Sequence, residues 1–132
     1  MPREIITVNV GGCGVRFGST VWEQYFAEHK MDGHGQKKHD DNDPSLGTCF
    51  KESKDKSYIP RNLFIDTDPN TIDNIKQNSK YSSILFHDDY SHVSGTANKS
   101  LTTWANGYYK IGRKYMDEIS DCLRKLVDDC DN

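Results

Sequence analysis

A β-branched run that turns through glycines straight into a helix limits this chain's possible folds more than any other feature of its sequence. Glu4–Val10 alternates and is rich in Ile, Val and Thr, which predicts a buried strand. Gly11-Gly12-Cys13-Gly14 follows at once. Phe17, Val21, Trp22, Tyr25 and Phe26 then recur at helical spacing, predicting a helix to about His29 with these residues on its apolar face. A second such unit begins at Asn62–Asp66, read as a strand through Leu63, Phe64 and Ile65. Asp68-Pro69 places an acceptor at a helix N-cap and a proline at the first helical position. The helix it opens is predicted over Asn70–Asn78, with Ile72 and Ile75 inward. Strands that feed helices in this order point to an α/β fold with a parallel sheet.

The remaining segments are less regular. Met31–Tyr58 is polar and punctuated by Gly33, Gly35, Pro44 and Gly47, and it reads as one long surface loop. A brief strand is expected near Ser91–Ser94. Tyr108, Ile111, Tyr115, Ile119, Cys122, Leu123, Leu126, Val127 and Cys130 recur every three or four residues, predicting one amphipathic helix over Trp104–Asp129. Its apolar face needs a sheet or a second helix to cover it.

Composition excludes several classes. Leu, Ile, Val and Phe make up about a fifth of the chain, close to the range of disordered proteins, so only a modest single core is expected. A net charge of −3, with basic and acidic residues interspersed, gives no phosphate-tracking stripe and argues against a nucleic-acid partner. No apolar run approaches the roughly 20 residues that span a bilayer, and no membrane association is expected. Cys13, Cys49, Cys122 and Cys130 lack zinc spacing, and the chain opens on a strand pattern instead of a secretion signal. The compartment read from this is reducing and cytosolic.

The glycine turn is where chemistry is expected. Glycines let a backbone approach a ligand closely, and the N–H groups of a helix start attract an anion. The dinucleotide fingerprint is nonetheless off by one, because Phe17 stands where a glycine is required and Gly18 comes one position late. Asp66 and Asp68 close the second strand and open the second helix. At the carboxyl edge of a parallel sheet they would face a ligand and hold a metal through water or bond a sugar hydroxyl. The alternative is that Asp68 is only a cap and Asp66 only a turn residue.

Taken together, these segments resemble tubulin. MPREIIT, the glycine turn and WEQYFAEH are similar to the family's first strand, first nucleotide loop and first helix. YIPRNLFIDTDPNTID resembles the second strand and loop, and WANGYYKIG and RKLVDDC resemble the start and end of the third helix. Gly14-Val15, Trp22-Glu23 with Tyr25, Leu85-Phe86-His87, Ile111-Gly112 and Arg124-Lys125-Leu126 favour the alpha type, whereas the opening MPREIIT is more like the gamma type. The fold implied is a partial Rossmann-like, three-layer nucleotide-binding domain with an incomplete parallel sheet. Residues 1–132 would form the amino-terminal part of the tubulin GTPase domain.

The resemblance implies GTP with Mg as cofactors, and partners that are other tubulin subunits or microtubule-associated proteins, in the cytoplasm and cytoskeleton. Gly11, Gly12 and Cys13 take the first-loop positions, with Gly12 replacing the family's phosphate-reaching glutamine. Arg16 takes a position that faces the nucleotide. Asp66 matches the second loop's aspartate, and Asp68 its glutamate, one methylene shorter, as the water-mediated metal contact. Ser100, Leu101 and Thr102 stand in the third loop, where the paired asparagines before the aromatic become Thr102-Thr103. No residue here matches the glycine-rich fourth loop or the catalytic loop, so the expectation is a truncated or divergent tubulin with no catalytic residue of its own. The alternative is a short interaction module that binds no GTP. Without the family's fourth strand, the first strand would expose an apolar edge prone to aggregation.

Overall fold

The computed structural model describes residues 4–38, 43–88, 91–95 and 103–131. Strand β1 (Thr7–Val10) leads into helix α1 (Gly11–Glu28). A short helix α2 (Leu46–Cys49) and the antiparallel pair β2 (Phe50–Glu52) and β3 (Tyr58–Pro60) precede β4 (Asn62–Asp66). Then come α3 (Pro69–Asn78), α4 (Ser82–Leu85) and β5 (His92–Ser94). The last helical stretch comprises α5 (Trp104–Asn106), a π segment (Gly107–Gly112) and α6 (Arg113–Asp128).

The main sheet is parallel, with β4 between β1 and β5. Thr7 aligns with Asn62 and Val10 with Ile65, while Phe64 aligns with His92. Being central, β4 buries both faces. Phe64 joins the larger core with Val15, Trp22, Phe26 and Ile72, and Leu63 joins a smaller one with Val93, Cys122 and Leu126. The molecule is therefore a three-layer α/β structure, with α1 and α3 on one face of the sheet and α6 on the other, consistent with a partial nucleotide-binding domain.

Several sequence expectations change in the structure. The first strand is shorter than Glu4–Val10, although among the described residues it lies at the sheet edge, as the incomplete sheet leads one to expect. Val8 and Val10 are 42% and 64% exposed instead of buried, because α6 packs over β4 and β5 and leaves their face of β1 uncovered; Ile5, ahead of the strand, is 54% exposed. Phe17 is exposed as well. The buried stripe of α1 is Val15, Gly18, Trp22 and Phe26, and Phe17 sits about 160° around the helix from Val15.

Met31–Tyr58, expected as one long loop, contains α2, β2 and the start of β3, and it buries Met31, Leu46 and Phe50. Its aromatic anchor is Phe50, whose ring stands 5.5 Å from both Trp22 and Phe26. The helix expected over Trp104–Asp129 is interrupted by the π segment. Tyr108 and Val127, expected inward, are 57% and 56% exposed. The wider π turn shifts the apolar register ahead of Arg113, and Val127 lies a full residue step around the helix from the buried Leu126.

A buried polar network fixes how α1 meets the sheet. Asn9 donates to Asn62 Oδ1 at 2.6 Å, and Trp22 Nε1 donates to the same oxygen at 2.8 Å. Gly18 makes this approach possible: a Cβ there would lie 2.7 Å from Asn9 Nδ2 and closer still to Oδ1 and Cγ. Arg61, itself buried, donates through Nη1 to the carbonyl of Asp129 at 3.0 Å, and Lys51 pairs with the Asp129 carboxylate at 2.6 Å. Cations at a helix C-terminus complement its exposed carbonyls, so these two residues hold the end of α6.

Candidate functional site

The site is built where β1 and β4 both end. Gly11 has φ +76°, a left-handed conformation that glycine adopts without strain, and it turns the chain from strand to helix within one residue. No side chain caps α1, and its first turn carries no acidic residue. The helix dipole and backbone N–H groups at that end thus favour an anion. At the next strand end, Asp68 caps α3 as the sequence predicts, its Oδ1 accepting from the Asn70 backbone N–H at 3.0 Å. Pro69 at the first helical position completes that start.

Between these two helix starts lies an open cavity of about 650 Å³. Gly12, Cys13 and Arg16 line it from α1, and Asp66 and Asp68 from the end of β4. Of the candidate residues named from the sequence, these five share one space. Gly11 forms the turn beside them and faces open space. Ser100, Leu101 and Thr102 lie outside the described residues. Phe17, Thr20 and Thr71 also line the cavity; Thr20 and Thr71 are not singled out in the sequence, where Phe17 reads as a residue of the buried face. Thr71 carried a usable signal, since it follows the Asp68 cap by three residues and so belongs to the first turn of a helix beginning at the same edge.

Asp66 has the most informative environment. It is buried, and its Oδ1 accepts from the backbone N–H of Asp68 at 3.0 Å. Its Oδ2 is buried with no hydrogen-bond partner among the described residues. A buried carboxylate oxygen without a donor is costly, so this atom fits a hydroxyl, an amide or a cation delivered from the cavity. Gly12 faces it directly, because a Cβ at Gly12 would stand 3.8 Å from Asp66 Oδ2 and 3.9 Å from Thr71 Oγ1. Position 12 has room for a longer side chain and supplies none.

Comparison with known proteins agrees with this architecture. The model of the Tubulin/FtsZ family GTPase domain matches residues 4–132. The chain belongs to the tubulin/FtsZ family. Relatives include the tubulin alpha-1 chain of Saccharomyces cerevisiae, 36% identical over 98% of this chain, and the tubulin alpha-1B chain of Schizophyllum commune, 36% identical over 97%. The tubulin alpha-2 chain of the lobster Homarus americanus is 35% identical over 97%. This tubulin-family chain spans 29% of the length of the yeast protein and 28% of the other two. Among the described residues, no helix is long and apolar enough to cross a membrane.

Proposed function

We propose that this chain is an alpha-tubulin-like cytoskeletal protein, a constituent of microtubules whose GTP site is degenerate. Identity to alpha tubulins across nearly its whole length supports the first half of this reading, and with it other tubulin subunits as partners and the cytoplasm as location. One observation carries the second half: Asp66 Oδ2 is buried and unpartnered opposite Gly12, a position without a side chain. GTP, if held, would place phosphates against the start of α1, with Arg16 as the nearby cation. Mg would take Asp66 and, through water, Asp68. Bound Mg would neutralise phosphate charge. Asp68 already commits one oxygen to its cap, and Gly12 adds no amide, so both groups would be held weakly.

The test is titration of a fluorescent GTP analogue with Mg into the purified chain and into its Gly12→Gln variant. The variant is expected to bind more tightly, and the unaltered chain not to bind in the micromolar range. Micromolar binding by the unaltered chain would overturn the degenerate-site reading. Tagged chain added to polymerising tubulin is expected to pellet with the polymer; its retention in the supernatant would count against the microtubule role.

The exposed β1 edge supports a second reading, a module that binds no GTP and pairs through its open sheet edge. A lysine at Val10 separates the two. It would abolish partner capture by an edge-pairing module and leave nucleotide titrations unchanged.

A further inference from the structure

Trp104, Tyr108 and Tyr109 form an aromatic cluster that neither core uses. The Trp104 and Tyr108 rings lie 5.0 Å apart and nearly parallel, at 10°. Tyr109 stands edge-on to both, 6.1 Å from Trp104 and 5.0 Å from Tyr108. The three are 73%, 57% and 53% exposed. On a regular helix a residue five positions on sits about 140° around the axis, out of ring contact with Trp104. The π segment Gly107–Gly112 widens the turn so that Tyr108 and Tyr109 both reach Trp104. Such segments are rare and concentrate at functional sites.

The cluster is also locally cationic. Lys110, Arg113 and Lys114 are exposed on the same stretch of helix; the Arg113 guanidinium lies 5.3 Å from the centre of the Tyr109 ring, and Lys114 Nζ lies 5.0 Å from that of Tyr115. From Thr103 to Met116 the sequence has no acidic residue, although the whole chain carries a net charge of −3. Exposed aromatic rings interleaved with arginine and lysine match a ligand that alternates apolar groups with anions.

We propose that this turn is a docking site for a short acidic polypeptide segment bearing apolar side chains. Its carboxylates would pair with Lys110, Arg113 and Lys114, and its apolar groups would pack on the three rings. Size selects a linear segment. Three aromatic side chains of roughly 150–250 Å² each, only partly exposed, offer well under the roughly 800 Å² per partner of a stable interface between folded proteins. Single-stranded nucleic acid also stacks on such rings, but the acidic residues that begin at Asp117 on the same helix confine any anionic ligand to the stretch before them, which suits a short segment over a continuous phosphate backbone. The site is separate from the cavity at Gly12 and does not depend on nucleotide binding.

The test is fluorescence anisotropy of the whole chain with a fluorescein-labelled peptide of repeated Glu-Glu-Phe, alongside a Lys-Lys-Phe peptide and oligo(dT). Expected is binding of the glutamate peptide alone, weakened by salt. Trp104→Ala, Tyr109→Ala and Arg113→Glu should each weaken it by about tenfold or more, as at interface hot spots. All three positions are exposed, so an unchanged circular dichroism spectrum accompanies the loss. Tyr109→Phe, which keeps the ring, should retain binding. Absence of binding, equal binding of the lysine peptide, indifference to these substitutions, or tighter binding of oligo(dT) would each overturn the proposal.

Discussion

Substitution of Gly18 by alanine tests how α1 sits on β1. In a helix interior this change alone favours folding by about 1 kcal/mol. Here the new Cβ would stand 2.7 Å from Asn9 Nδ2, inside the side chain that donates to Asn62. Asn9 must move, which leaves a buried amide short of a partner, at about 1–3 kcal/mol. Crowding of a packed interface adds about 1–3 kcal/mol. The expected outcome is a net loss of about 1–5 kcal/mol. Gly14→Ala is the control: its Cβ would meet Asn9 backbone carbon at 3.6 Å, an ordinary contact, and should gain up to about 1 kcal/mol.

The assay is urea unfolding at high dilution, followed by Trp22 fluorescence in a Trp104→Phe background. Trp22 donates to Asn62 within the same network and reports on it directly. Asn9→Ala should make Gly18→Ala nearly harmless, since the two changes share one contact and are strongly non-additive. If Gly18→Ala proves as stable as Gly14→Ala, the close approach of helix and strand is wrong.

Loss of the α3 cap in Asp68→Ala should cost about 1 kcal/mol, and Asp68→Asn should cost far less, both read from urea midpoints. Thiol labelling should modify exposed Cys13 first and buried Cys122 only on unfolding. Burial, reinforced by Glu118, pushes the Cys122 thiol above its ordinary 9.0, and burial raises Cys49 against the opposing charge of Arg61. Well below pH 9.0 both thiols are protonated whether folded or not. Above it the unfolded thiols ionise while the folded ones keep their protons, so stability should fall as pH rises from 9.0. Urea midpoints that stay level across that range would refute this. Val10→Lys on the open edge should change stability by no more than about 0.5 kcal/mol and reduce self-association in sedimentation velocity; unchanged association would mean the edge is not the sticky surface.

The parts legible in the sequence were those governed by local chemistry. The strand entering glycines, the Asp68-Pro69 helix start and the apolar run Leu63-Phe64-Ile65 of β4 each depend on a few adjacent residues, and all three stand in the structure. The β2–β3 pair was hidden because three-residue strands are too short for periodicity to register. Its turn also uses Lys56 at φ +61° where a glycine would have given a signal, and Lys30 at φ +56° likewise ends α1 without glycine. Phe17 misled because apolar character alone does not choose a helix face. Gly18, which has no side chain to score, marks the real one. At the candidate site, Asp66 was legible as a strand-end carboxylate. That its second oxygen is buried without a donor depends on packing from α1 and α3, and no local pattern encodes it.

The parallel pairing of β1 with β4 also sets a timetable. Thr7 finds Asn62 across about 55 intervening residues, and a parallel partner cannot arrive through a tight hairpin. At ~5–20 residues per second of synthesis, β1 leaves the ribosome about 3–11 s before its neighbour exists. During that interval Ile5, Ile6, Val8 and Val10 have no sheet to join, and even afterwards only one edge of β1 is occupied among the described residues. The strand that opens this fold is thus made well before the neighbour that secures it. For those seconds its safety rests on whatever covers the nascent chain.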